Sequence, residues 1–172
     1  MSVSRLLMWT LALATLAWAV WAYAALPERI PLHFGIDGTP DRWGDRSLAG
    51  WLLLPLVGIG MAALMDGVGQ WALRNPEKQT INLPQSDAIM ALPVERRLPV
   101  LRRAIAMTNA VAVLLLVAFA ILQIGDYAAA LGAPSQGWTV LGVGICLTGP
   151  LAVLVWGITS VSNEIDRQRR ET

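Results

Sequence analysis

The chain has 172 residues, 55% of them hydrophobic and only 15% charged, whereas soluble domains lie nearer a quarter charged. Its formal charge is +1, from 13 Lys+Arg against 12 Asp+Glu, which excludes the broad basic face of a nucleic-acid binder. The single cysteine, Cys146, excludes an intramolecular disulfide, and the single histidine, His33, confines any His-dependent triad or metal site to its position.

Four stretches lack Asp, Glu, Lys, Arg and His altogether: residues 6–27, 47–65, 104–125 and 127–163. A hydrocarbon core of about 30 Å needs roughly 20 apolar residues in a helix. Inside lipid the backbone must satisfy its own hydrogen bonds, so these stretches are expected to be helices. Spans are placed near 6–25, 48–70, 104–124 and 138–161. The expected fold is an all-α membrane protein, a four-helix bundle forming a single integral membrane domain over 1–172.

The first span begins after Arg5 and ends in Ala22-Tyr23-Ala24, the outline of a secretory signal with a cleavage site. The apolar run exceeds the usual h-region of about 7–15 residues and carries Trp9, Trp18 and Trp21. A retained anchor is therefore the expectation.

The connection 26–47 is dense in residues with fixed conformational meaning. Pro27 and Pro31 lock their own φ angles and favour extended chain before them. Leu32, Phe34 and Ile36 alternate with His33 and Gly35, a strand pattern, and Asp37-Gly38 is a turn signal. Pro40-Asp41 opposes a helix, Arg42 beside Trp43 suggests a cation over a ring, and Ser47 or Asp45 is positioned to cap the second span. An ordered outer cap, in the form of a small hairpin, is expected. His33, Asp37, Asp41 and Asp45 are ligand types for a divalent metal. Their four-residue spacing would align them on a helix that Gly35, Gly38, Pro40 and Gly44 forbid. Two readings stand: a metal site built by a folded turn, or turn-forming aspartates beside an interfacial histidine.

The second span contains Pro55, Gly58, Gly60, Gly67 and Gly69, and the fourth contains Gly142, Gly144, Gly149 and Pro150. Small residues let helix backbones approach closely in lipid, and Pro55 and Pro150 are expected to kink their helices. Plain bundle packing and a cleft or hinge between spans two and four both fit. Asp66 is the one acid within a span, which raises a proton or substrate role. Ion pairing near the interface, two turns before Arg74, is the simpler account. The segment 74–103 reads as loop at Asn75-Pro76 and Leu83-Pro84, with Pro93 and Pro99 interrupting any long helix. Arg96, Arg97, Arg102 and Arg103 among Val94, Leu98, Val100, Leu101 and Ile105 suit either a membrane surface or the docking of a soluble regulator. The tail from Ser162 is expected to be a frayed helical end.

Ten basic residues flank one side: Arg5, Arg74, Lys78, Arg96, Arg97, Arg102, Arg103, Arg167, Arg169 and Arg170. Three flank the other: Arg29, Arg42 and Arg46. Positive loops stay cytoplasmic, so both termini and segment 74–103 are expected inside and the loop 26–47 outside. Tryptophan and tyrosine near the span ends fit the same even topology.

Leu26-Pro27, Ile30-Pro31-x-His33-Phe34 and Gly38-x-Pro40-Asp41-Arg42-Trp43-Gly44 resemble the signature LPxxIPxHFxxxGxPDRWG of a bacterial membrane domain of unassigned biochemistry. The same signature occurs in the Sdp toxin-immunity membrane proteins. Ile81-Asn82-Leu83-Pro84, with Glu95-Arg96 after it, is similar to the inner segment of these proteins. The resemblance implies a location in the inner membrane, protection from a secreted peptide toxin and capture of a cytoplasmic repressor. It supplies no catalytic residues to carry over and leaves the cofactor unknown. The function expected is therefore a non-enzymatic sensor or immunity-like factor. It would recognise a peptide or envelope ligand through His33, Asp37, Asp41, Arg42 and Trp43, with the bilayer and a soluble regulator as its other partners. A metal-dependent membrane enzyme at His33 and the loop aspartates, and a small transporter subunit using Asp66, are the competing classes.

Overall fold

The computed structural model describes residues 2–78 and 86–170. In chain order these form α1 (Val3–Tyr23), β1 (Arg29–Phe34), β2 (Pro40–Asp45), α2 (Leu48–Arg74), α3 (Ser86–Met90), α4 (Val94–Ala130) and α5 (Gln136–Arg170). The four long helices all have the length and hydropathy to cross a membrane. Leu13, Leu53, Leu64, Leu147, Leu151 and Val155 on them remain more than half exposed. Water penalises such surface and lipid does not, so the chain is a multi-pass, all-α membrane protein.

Three helices make the packed centre. α1, α2 and α4 contact one another pairwise, and α5 lies along α4. Midway down, Met8 and Ala12 of α1, Ala62 of α2, and Ala112 and Leu116 of α4 form one apolar cluster. At the hairpin end, Trp18, Trp51 and Tyr127 bring one ring from each of the three helices together, with centroids 5.6 to 6.5 Å apart. Such tilted and edge-on contacts suit the ring quadrupoles. At the opposite end, Val100, Ala104 and Met107 of α4 pack with Val161 and Ile165 of α5 and Ile89 of α3.

Gly58, Gly69, Gly142 and Gly149 let their helices approach a neighbour closely, and that neighbour is α4, whereas Gly60, Gly67 and Gly144 have nothing within 4 Å of an added Cβ. A Cβ on Gly58 would meet Leu116 Cδ2 at 2.9 Å, and one on Gly69 would meet Ile105 Cγ2 at 3.1 Å. On α5, a Cβ on Gly142 would lie 2.6 Å from Leu122 Cγ, one on Gly149 3.2 Å from Leu114 Cδ1, and one on Gly157 would overlap Met107. Both glycine-bearing helices therefore close on α4 rather than on each other. Of the two readings this is plain bundle packing: α4 stands where the alternative placed a cleft between the second and fourth spans, and its large side chains fill the spaces these glycines leave.

Pro55, Pro99 and Pro150 all lie inside continuous helices. Pro99 thus does not interrupt α4, which starts at Val94, ten residues before the predicted span. Its missing N–H frees one carbonyl near the helix start, while burial of Val100, Leu101 and Ala104 favours continuation. Val94 to Ile105 is accordingly the first part of α4 and not a separate surface helix. Its apolar face is spent on α3 and α5.

The tail is likewise no frayed end. α5 runs to Arg170, with Val161, Glu164, Ile165 and Gln168 buried, and Arg96 Nη1 donates to the Gln168 carbonyl at 2.6 Å. Arg97 donates to the Met90 and Leu92 carbonyls at 2.7 and 2.8 Å, closing the end of α3. At 37 residues, α4 is about 55 Å long, well beyond a hydrocarbon core of about 30 Å. The excess carries the arginine-rich end. The match noted at Ile81-Asn82-Leu83-Pro84 lies outside the described residues.

Candidate functional site

The hairpin is fastened at its base, along its flank and at its tip. At the base, Arg46 Nη1 donates to the Leu26 and Tyr23 carbonyls at 2.6 and 3.4 Å, and its guanidinium sits 5.0 Å from the Tyr23 ring centroid. A cation at the carbonyl end of α1 satisfies orphan acceptors and complements the helix dipole. Ser47, not Asp45, caps α2, its Oγ accepting from Gly50 N at 3.1 Å. Leu26 and Ile30 are buried against Ala22, Trp51 and Ala130. Along the flank, β1 packs on α4. At the tip, Gly38 takes φ +77° and lies against Gln136 and Thr139 of α5.

The strands pair antiparallel, with Arg29 opposite Asp45, Ile30 opposite Gly44, Pro31 opposite Trp43 and His33 opposite Arg42. The register is broken around Leu32 and His33, so the bulge disrupts the simple alternation expected over residues 32–36, and Ile36 falls in the turn. Leu32 instead folds over Gly44, where any Cβ would overlap its Cδ1. The turn closes through Asp37, whose carboxylate accepts from Thr39 N at 3.1 Å and from Thr39 Oγ1 at 2.8 Å. The Thr39 backbone N–H, with its hydroxyl second, holds the Asp37 carboxyl below its ordinary value.

With those roles assigned, the side chains of His33, Asp41, Arg42 and Trp43 remain exposed. His33 Nδ1 lies 2.6 Å from Asp41 Oδ1, across the two strands. The cation–ring contact proposed for Arg42 and Trp43 does not form, because neighbours in a strand point to opposite faces. The pair that does form, Arg46 and Tyr23, joins the loop to α1. Of the four metal-ligand candidates, only His33 and Asp41 form a bonded pair; Asp37 is turned to Thr39, and Asp45 is opposite Arg29 at the other end of the hairpin. Among the described residues, no three His, Cys, Asp or Glu side chains converge as metal ligands.

Asp66 lies far from the hairpin, near the end that carries the termini. It is 7% exposed and saturated with donors. Arg5 Nε lies 2.8 Å from Oδ1, Trp9 Nε1 donates to Oδ2 at 3.1 Å, and Gln70 Nε2 reaches Oδ1 at 3.4 Å. Its partner is therefore Arg5, across the α1–α2 interface, rather than Arg74 on its own helix. The arrangement is a clamp between two helices.

The residues missed from sequence lie on α4. Gln123 is 1% exposed, and its Nε2 donates to the Trp51 carbonyl at 3.2 Å. That carbonyl is free because its helical partner four residues on is Pro55, which has no N–H. Trp51 Nε1 in turn donates to the Ala19 carbonyl at 2.7 Å. One proline in α2 thus generates a polar link running from α4 through α2 to α1. A glutamine near the hairpin end of an apolar span was the available signal.

No curated protein and no solved structure matches the chain. Residues 10–59, which take in most of α1, the whole hairpin and the start of α2, match the family described as a domain of unknown function, DUF1648.

Proposed function

We propose that this is a non-enzymatic sensor or immunity-type protein of a bacterial inner membrane, with the hairpin outside and both termini in the cytoplasm. One observation carries the reading. Leu26, Ile30, Gly38 and Gly44 of the signature have packing or turn roles, whereas His33, Asp41, Arg42 and Trp43 are exposed and supply no such role. Exposed residues on a braced loop are the usual place for recognition. The His33–Asp41 pair, the Arg42 guanidinium and the Trp43 ring offer polar, cationic and aromatic contacts to a peptide or envelope ligand. Asp37 contributes by holding the turn. The orientation rests on the ten basic residues at the end carrying the termini against three at the hairpin end. A secreted peptide toxin outside and a soluble regulator inside are the partners that the resemblance to the Sdp immunity proteins favours.

The test is substitution of His33→Ala, Asp41→Asn and Trp43→Ala, one at a time. The expected result is loss of the protective or signalling phenotype at unchanged levels of membrane-inserted protein. A full phenotype in all three variants, or their disappearance from the membrane, refutes the reading. Thr39→Cys in a Cys146→Ala background tests the orientation, and should react with an impermeant maleimide in whole cells.

A further inference from the structure

Beneath the hairpin, between β1, α2 and α4, lies a cavity of about 400 Å³. Leu32 and Phe34 of β1 and Leu53 and Val57 of α2 give it apolar walls. Leu53 is 62% and Val57 45% exposed, so this side faces the surrounding lipid. The α4 wall is different. Gln123 and Asp126 are three residues apart and share one face of the helix. The Gln123 amide nitrogen is committed to the Trp51 carbonyl, and its oxygen is buried without a partner among the described residues. The Asp126 carboxylate, half-buried, likewise has no hydrogen bond or ion pair among them.

Buried polar atoms are paired in the great majority of cases, and an unpaired acceptor calls for an explanation. Here two acceptors stand together on the wall of an otherwise apolar space, and one of the two amide N–H donors is already given to the Trp51 carbonyl. Such a wall repels carboxylate and phosphate and favours a head that donates hydrogen bonds and carries positive charge. An apolar body would then lie against Leu32, Phe34, Leu53 and Val57, in the usual division of a small-molecule site. We infer that this cavity binds a primary-ammonium amphipath, with its head on Gln123 and Asp126 and its apolar part directed toward the membrane. None of His33, Asp41, Arg42 and Trp43 lines this cavity, so the site is separate from them.

The test uses the full chain in phosphatidylcholine nanodiscs, with retained molecules counted by native mass spectrometry. Phosphatidylethanolamine supplies the head as a lipid, and decylamine below its micellar concentration supplies it as a free amine. One molecule of at least one probe should be retained per chain, about tenfold more tightly than its trimethylammonium counterpart. Asp126→Asn should weaken retention about tenfold or more, and Leu53→Trp, which narrows the open side, should abolish it. Retention of the lipid alone identifies a lipid source, and retention of the amine alone a free one. His33→Ala should bind as the unmodified chain does, which separates this site from recognition at the hairpin. No retention of either probe, equal retention of the trimethylated heads, or retention unchanged by Asp126→Asn or Leu53→Trp overturns the inference. Should Asp126→Asn fail to insert, Leu53→Trp alone decides.

Discussion

The link from Pro55 to Gln123 makes a prediction that reverses with background. Replacing Gln123 by Met keeps the side-chain length and removes the donor to the Trp51 carbonyl, which is then buried without a partner. Leaving such a group unpaired costs about 1–3 kcal/mol, while interhelical hydrogen bonds in membranes average only about 0.6 kcal/mol, with a maximum near 1.7. Met also removes the unpaired Gln123 oxygen, which offsets part of the loss. The expected cost is therefore about 1–1.5 kcal/mol, close to a tenfold change in the unfolding equilibrium. In a Pro55→Ala background the new N–H at position 55 bonds the Trp51 carbonyl within α2, and the glutamine donor becomes redundant. There, Gln123→Met should cost less than about 0.5 kcal/mol or stabilise. Equilibrium unfolding in mixed detergent micelles, run on all four chains, measures the coupling directly. An equal cost with and without the Pro55→Ala substitution would refute the claim that the proline creates the acceptor that Gln123 serves.

The Asp66 clamp should appear as coupling between helices. Asp66→Asn and Arg5→Gln should each cost about 1–3 kcal/mol, with a coupling of about 1 kcal/mol in the double mutant, limited because Arg5 is partly solvated. Additive costs would show that the pair is idle. At the other helix pair, burial disfavours charge on Glu164, but hydrogen bonds from Gln168 and Arg167 and the charges of Arg167 and Arg103 outweigh it, holding the carboxyl below its usual 4.5. A depressed value in the folded state contributes stability above pH 4.5 that is lost as pH falls through the folded value. Acid titration of thermal stability should show this loss, and Glu164→Gln should remove it. Finally, Gly44→Ala should displace Leu32 and cost about 1–3 kcal/mol, whereas Gly60→Ala, with nothing within 4 Å of its Cβ, should be neutral or stabilising. Thermal scans of the two variants distinguish them.

The spans were legible because charge-free length is a property of the chain alone, and lipid allows one backbone solution to it. Helix ends were not. α4 starts ten residues early and α5 continues to Arg170 through contacts such as Arg96 with the Gln168 carbonyl, 72 residues apart, and no local pattern encodes such a contact. Within the hairpin, Asp37-Gly38 and the prolines announced the turn and the extended strands, since these residues act through their own φ angles. The bulge at Leu32 and its packing over Gly44 arise only when two strands meet. The same limit applied to charge: Asp66 stood out as an acid within a span, but its partner Arg5 is 61 residues away. Arg46 counted toward orientation, and its role as the cap of α1 emerged only with the hairpin folded back.

The α4–α5 contact has a mechanical consequence. Gly142, Gly149 and Gly157 receive Leu122, Leu114 and Met107, in opposite chain order and over the same length of helix. A row of notches facing a row of teeth admits a single axial setting. Sliding one rod past the other by a helical turn of about 5.4 Å would set each tooth against a residue that carries a side chain in place of a glycine. Although α5 lies against a single long neighbour, it has no adjacent resting position, and it can leave its place only by lifting away.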